Sequence, residues 1–307
     1  MTSVDFLPSR DIPSLTGKVI FITGGTSGLG AESVQQLAQK QPRAIYLSGR
    51  NAKNAEALIE RVKAVAPTTP LHFIQCDLAS LPSVAAAAAQ FLAASDRLDI
   101  LMCNAGIMAH PPGLTSDGYE LQFGINFLGH ALLIKKLLPL LQRTAQLPGA
   151  DVRVVLLTSL GFLMHPRGGI LFDSLRTTQD SRIFGPWTRY GQSKLAALLY
   201  ARELARRAPS ILAIAVHPGV VQTGLADGLS AVNRVFLKAM LVTTKLVTPE
   251  EGARNQLWAA TTQREGIENA ALYEPVGVLS GKLDKTSKDD ALAGRLWEWT
   301  EKELERY

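Results

Sequence analysis

Short apolar runs recur along the chain, separated by longer stretches in which apolar residues return every three to four positions. The runs are Val19 to Thr23, Ala44 to Ser48, Leu71 to Cys76, Ile100 to Cys103, Val152 to Thr158, Ile211 to His217 and Ala271 to Tyr273. They are apolar throughout rather than alternating, which predicts parallel strands covered by helices on both faces. The stretches Ala31 to Gln39, Ala52 to Val65, Leu81 to Ala94, Gly118 to Gln142, Tyr190 to Arg207 and Pro249 to Ala260 have the length and period of helices. Strands alternating with helices predict an α/β fold, a doubly wound, mostly parallel sheet of seven strands. No stretch reads as a linker and no repeat is visible, so residues 1–307 are expected to form one domain. The alanine run Ala85 to Ala89 fits a helix lying close to the sheet.

Composition narrows the function classes. A net charge of +5 and a pI near 9.2 favour an anionic ligand. The basic residues are scattered, without the basic runs and interleaved aromatics expected of a nucleic-acid binder. The longest apolar stretch, Ala131 to Leu141, is broken by Lys135, Lys136 and Pro139 well before the roughly 20 residues that span a bilayer, so no transmembrane segment is expected. Met1 to Pro13 lacks the order of a secretion signal, and Cys76 and Cys103 both sit in apolar runs. A reducing, cytoplasmic setting is expected. The five histidines have no metal-ligand spacing, and no metal is assigned.

The first candidate chemistry lies between the first strand and the first helix. Thr23-Gly24-Gly25-Thr26-Ser27-Gly28-Leu29-Gly30 has the strand-to-helix setting of a phosphate-binding loop, although its Gly-x-x-x-Gly-x-Gly spacing differs from the commoner dinucleotide fingerprint. Twenty residues past Gly30, where a site for NAD would carry an acid, the second strand ends in Ser48-Gly49-Arg50-Asn51. A guanidinium there pairs with a 2′-phosphate, so the expected cofactor is NADP(H). Asp77 and Leu78 after the third strand are placed to reach an adenine ring. Asn104, Ala105 and Gly106 after the fourth strand either line the same cleft or form a turn that ends the strand.

The second candidate is Tyr190 with Lys194, four positions apart in a helical stretch and therefore on one face. A nearby ammonium favours the phenolate, so Lys194 is expected to bring Tyr190 towards neutrality and make it a usable acid or base.

With these pieces in order, the chain resembles the short-chain dehydrogenase/reductase family from Leu15 to about Tyr273. The matching residues are the glycine loop, Asn104-Ala105-Gly106, Asn126, Ser159, Tyr190 with Lys194, and Pro218-Gly219-Val220-Val221-Gln222-Thr223. The later segments Thr248 to Ala253 and Leu296 to Thr300 are similar to those of the retinol-dehydrogenase and WW-domain-oxidoreductase-like branch, which includes fungal reductases of secondary metabolism. The resemblance implies that Tyr190 exchanges a proton with a carbonyl or alcohol oxygen and that Ser159 orients that oxygen. It further implies that Lys194 lowers the Tyr190 pKa and bonds the nicotinamide ribose, and that Asn126 holds a proton-relaying water. Pro218, Gly219, Val221 and Thr223 would contact the nicotinamide and phosphates. Cys103 departs from the family pattern, where an asparagine is common. So does the long interval between Ser159 and Tyr190, which holds Phe162, Phe172, Phe184 and Trp187; this added loop is expected to border the substrate pocket.

The segment at about 224–247 has amphipathic spacing, which fits a lid, core packing or contact with a membrane surface. The expected ligand is a lipophilic ketone, aldehyde or secondary alcohol, and a homodimer is the one macromolecular partnership left open. A cofactor-dependent enzyme without net redox change and a non-catalytic nucleotide sensor are the competing readings.

Overall fold

Val19-Ile-Phe-Ile-Thr23 forms strand β1 with every side chain buried, as expected of β-branched and aromatic residues with helices above and below. The computed structural model describes residues 3–181, 184–222 and 246–307. The strands that follow are β2 (Ala44–Gly49), β3 (Leu71–Gln75), β4 (Ile100–Cys103), β5 (Arg153–Leu157), β6 (Leu212–Val216), β7 (Val220–Val221), β8 (Leu246–Val247), β9 (Leu272–Glu274) and β10 (Val278–Leu279).

The main sheet has eight strands in the order β10-β9-β6-β5-β4-β1-β2-β3. All its pairings are parallel except β9 with β10. The expectation of seven strands is therefore short by β10, an antiparallel edge. β7 and β8 pair in a separate two-stranded ribbon. A second correction concerns β3: as the opposite edge it leaves His72 and Gln75 exposed instead of being buried throughout.

Helices α1 (Gly28–Ala38), α2 (Ala52–Lys63), α3 (Leu81–Ala94), α4 (Leu121–Ala145), α5 (Gly185–Arg207), α6 (Pro249–Thr261) and α7 (Asp290–Glu303) cover the sheet. One core holds α1, α2 and α6 against one face, and a larger core holds α3, α4, α5 and α7 against the other. Helix α4 is long and apolar enough to cross a membrane, but it is mostly buried among its neighbours and belongs to the core. It contains a π-helical turn, Gly124–Leu128, in which the Gly129 N–H reaches the Gly124 carbonyl.

Helix α5 begins five residues earlier than its pattern predicts. Phe184 takes a left-handed backbone (φ +54°) and Pro186 occupies the first turn, where a missing N–H costs nothing. Tyr190 thus stands inside the helix rather than at its frayed start. Helix α6 opens with a full capping box between Thr248 and Glu251. The sequence reversal between β1 and β4 places them side by side at the centre, so the loops leaving their carboxyl ends form one crevice.

Candidate active site

Each predicted site residue of the described chain lies at the carboxyl end of a strand or on the helix beside it. After β1 the glycine loop folds tightly. A Cβ at Gly30 would stand 2.2 Å from the Gly24 carbonyl oxygen and 2.6 Å from Asn104 Nδ2, so no other residue fits there. Gly24 and Gly28 have positive φ. Ser27 caps α1 without a side-chain hydrogen bond, which leaves the first-turn N–H groups facing the loop as a seat for an anion. Thr26 packs beside Gly49 and the Leu29 side chain beside Gly252.

Asn104 binds the same loop from the other side. Its Nδ2 donates to the Thr23 carbonyl at 2.9 Å, and the Asn104 and Ala105 N–H groups both donate to Thr23 Oγ1, at 3.0 and 3.1 Å. Gln256 on α6 reaches across the core to Asn104 Oδ1 and Ser33 Oγ. Asn255 holds the His217 carbonyl, which fixes the Pro218-Gly219 turn (Gly219 φ +85°). Val221 packs on Gly252. These two α6 polar residues were not among the predicted site residues; their only sequence signal is polarity on a helix face that ought to be apolar.

At the β2 and β3 ends, Arg50 and Asp77 line a 450 Å³ pocket with Gln75, Ser83, Ala86, Ala87 and Gln90. Asn51 uses its side chain to cap α2. Asp77 Oδ1 accepts from the Ala79 N–H, while the Leu78 side chain is turned into the core against Gly129, so only its backbone is open to the cleft. Thr223 and most of the 224–247 segment lie outside the described residues; Leu246–Val247 form β8.

The catalytic candidates meet where α4 and α5 pass the β4 and β5 ends. Ser159 stands between β5 and a 3₁₀ turn, Leu160–Met164, accepts from the Gly161 N–H at 3.1 Å and lies beside Tyr190. Close approach of Tyr190 requires Gly161, since a Cβ there would lie 2.8 Å from the ring. Lys194 donates to the Leu157 carbonyl at 2.9 Å, and its Nζ lies 5.7 Å from the Tyr190 ring centre. Asn126, in the π turn, is fully engaged through its side chain: Oδ1 accepts from the Ile107 N–H, and Nδ2 donates to the Ile107 carbonyl and Ser193 Oγ. Ser193 in turn donates to the Tyr190 carbonyl. A Cβ on Gly106 would stand 3.1 Å from Asn126 Oδ1 and 3.5 Å from Lys194 Nζ, so that glycine is what lets the loop after β4 lie over both.

The electrostatics correct one expectation. Burial pushes the Tyr190 phenol up to about 12, with Ser159 opposing, and pushes the Lys194 ammonium down to about 8. The ammonium thus does not bring this phenol towards neutrality; loss of water is the largest effect at both groups, and only Ser159 opposes it at the phenol. Tyr190 is a protonated phenol across the neutral range, suited to giving a proton.

Burial likewise pushes His130 and His217 down to about 4 from an ordinary 6.5. Above pH 6.5 neither state is charged and the full stability is present. As the pH falls from 6.5 to 4 only the unfolded chain takes up these protons, so stability is lost across that window. Each histidine accounts for on the order of 3 kcal/mol at its lower end. Urea midpoints are expected to hold level from pH 7.5 to about 6.5 and to fall from there to pH 4.5, with a shallower fall in His217→Gln; a profile flat throughout would contradict the buried, neutral assignment.

The aromatic residues between Ser159 and Tyr190 do not share one role. Phe162 is buried in the larger core, and Phe172 packs on Arg295 and Trp299. Phe172 thus covers part of the face that α7 presents, and Phe162 belongs to the core. Trp187 does lie on the site side, three residues before Tyr190, in a cluster with Met108, Ala109 and Met164; Phe184 and Leu163 are exposed.

Residues 18–233 match the family model for short chain dehydrogenases. The chain belongs to the short-chain dehydrogenase family. A short-chain dehydrogenase/reductase of Aspergillus calidoustus is 37% identical, with 96% of both chains covered. Retinol dehydrogenase 11 of Mus musculus is 34% identical over 92% of this chain and 85% of its own length. Among solved structures, an uncharacterised protein from Mycobacterium paratuberculosis superposes with a TM-score of 0.74 at 29% identity, covering 99% of this chain and 98% of that one. This short-chain dehydrogenase is an oxidoreductase that uses a nicotinamide cofactor, and the residues above fit that group. Gly25 and Gly30 of the cradle leave no room for a Cβ, the α1 N-terminus has no side-chain cap, and Gly106 lets the loop after β4 lie close against Asn126.

Proposed function

We propose that the protein reduces a lipophilic ketone or aldehyde with NADPH, or oxidises the matching secondary alcohol with NADP. The observation that carries this reading is the Tyr190 side chain, buried and neutral, set beside Ser159 and one helical turn before Lys194 at the carboxyl end of β5. Nicotinamide, when bound, supplies or receives the hydride. Tyr190 gives its proton to the substrate oxygen, and Ser159 donates to the same oxygen as charge gathers there. Lys194 neutralises the phenolate left behind, an interaction strengthened by the burial that makes its charge costly. Asn126 holds the Ile107 backbone and Ser193, and so keeps the α4 turn in register with the catalytic helix.

The phosphate preference rests on Arg50, exposed at the β2 end beside the 450 Å³ pocket, where no carboxylate occupies the strand terminus itself. A charge-assisted hydrogen bond to a 2′-phosphate contributes about 1.5–3 kcal/mol, hence at least tenfold tighter binding. Titration of NADPH and NADH by nicotinamide fluorescence is expected to show that preference, and Arg50→Asp to reverse it; equal affinities in the unaltered protein would remove the 2′-phosphate argument. The lipophilic substrate is supported by the thioethers and indole of Met108, Met164 and Trp187, clustered about one helical turn before Tyr190. A panel of ketones followed at the nicotinamide absorbance tests the reaction. Product formed without cofactor consumption would assign a non-redox activity instead.

A further inference from the structure

One buried ring joins the two halves of the site. His130 lies on α4 just beyond the π turn and is 3% exposed. Its Nδ1 is 3.1 Å from the Asn126 carbonyl oxygen and its Nε2 is 2.9 Å from Thr23 Oγ1. A carbonyl only accepts, so Nδ1 carries the hydrogen. Thr23 Oγ1 already accepts two N–H donors, those of Asn104 and Ala105, and so uses both lone pairs. Its single hydrogen points either to the Met102 carbonyl at 3.4 Å or to His130 Nε2 at 2.9 Å, and the shorter contact with the better acceptor position is the histidine. An imidazolium would leave an N–H aimed at an oxygen with nothing left to accept it.

We propose that His130 is a positioning residue: its neutral Nδ1–H tautomer ties the Asn126 turn of the catalytic helix pair to the Thr23–Asn104 brace beneath the dinucleotide loop. One face of the ring sets where the α4 turn stands, and through Asn126 Nδ2 and Ser193 it sets the register of α5 at Tyr190. The other face fixes the hydroxyl on which Asn104 and Ala105 hang, and Asn104 also bonds the strand end that enters the glycine loop. Burial favours the uncharged ring, in keeping with this geometry. The signal in the sequence is the Asn126-x-x-x-His130 spacing, one helical turn, in a residue type with two distinct nitrogens.

The kinetic part of this inference rests on the proposed reductase activity; the tautomer does not. Nitrogen NMR of the full chain with labelled histidine, assigned by the signal lost in His130→Asn or His130→Gln, is expected to show Nδ1 protonated and Nε2 bare at pH 7. A bare Nδ1, or a doubly protonated ring at that pH, would overturn the proposal. The two variants also separate the roles. The asparagine amide replaces Nδ1 and keeps the donor to Asn126, and the glutamine carboxamide replaces Nε2 and keeps the partner of Thr23. His130→Asn is expected to weaken NADPH binding by about tenfold with a smaller loss of kcat, and His130→Gln to do the reverse, as loss of one hydrogen bond of about 1.4 kcal/mol implies. Equal losses in both parameters for both variants would mean a space-filling residue only, and would overturn the positioning role. If the unaltered protein reduces no ketone, the reductase reading fails while the NMR and NADPH-affinity results still decide this one.

Discussion

Tyr190→Phe is expected to lower kcat by about 10³-fold, within the span of 10²–10⁴ that a positioned general acid contributes. The ring, its packing against Gly161 and its place in α5 are all retained, so affinity for the dinucleotide and the thermal midpoint should stay close to those of the parent protein. Ser159 keeps its bond from the Gly161 N–H and can still orient a carbonyl, which leaves polarisation without a proton. Steady-state kinetics with a ketone found in the panel, alongside fluorescence titration of NADPH, check the split. Turnover within tenfold of the parent would place the acid elsewhere and remove the central claim about this cleft.

The second large effect is on stability, at Arg189, the residue before Tyr190. Its Nε lies 3.3 Å from Glu120 Oε1, and both side chains are essentially sealed from water. Neither atom of that contact makes a proper hydrogen bond, and burial moves both groups towards their neutral forms, Glu120 up and Arg189 down. The pair is thus poorly made, and its worth lies in the absence of an isolated charge. Arg189→Met should cost about 3–5 kcal/mol, because it strands the Glu120 carboxylate in the core. Adding Glu120→Gln, which keeps the cap on the Phe123 N–H, should recover most of that loss. Stability should return without full activity. Arg189 also donates to the carbonyls of Gln179 and His110, two loops beside the site, and methionine restores neither bond. Urea denaturation and KM measured on the single and double variants separate the two contributions; a double variant no more stable than Arg189→Met would show that the stranded Glu120 carboxylate is not what the single substitution costs.

Much of this site could be read in the sequence because it is local. The glycine loop, the Asn104 loop, Ser159 and the Tyr190–Lys194 spacing each follow from what a strand end or a helix turn permits, and each is found where its element was expected. What escaped is set by partners far along the chain. Arg189 meets Glu120 across 69 positions and His130 meets Thr23 across 107, and no periodicity reports such pairings. β10 escaped because a strand of two residues has no pattern. The core position of Phe162 and the packing of Phe172 on α7 were not legible, because an aromatic looks the same in sequence whether it faces a cleft or a core. The direction of the Tyr190 shift was misjudged for a related reason: spacing brings Lys194 to the correct face, but only the fold decides how much water is removed from both groups.

Helix α7 sends no group into the crevice, yet its Trp297 lies flat against Tyr200 of α5, with ring centres 4.7 Å apart, and Arg207 covers the indole from the other side. The helix that carries Tyr190 is therefore braced from behind by a residue near the far end of the chain. Substitutions in this rear buttress would shift α5, and with it the setting of Tyr190, while leaving every residue that lines the cleft unchanged.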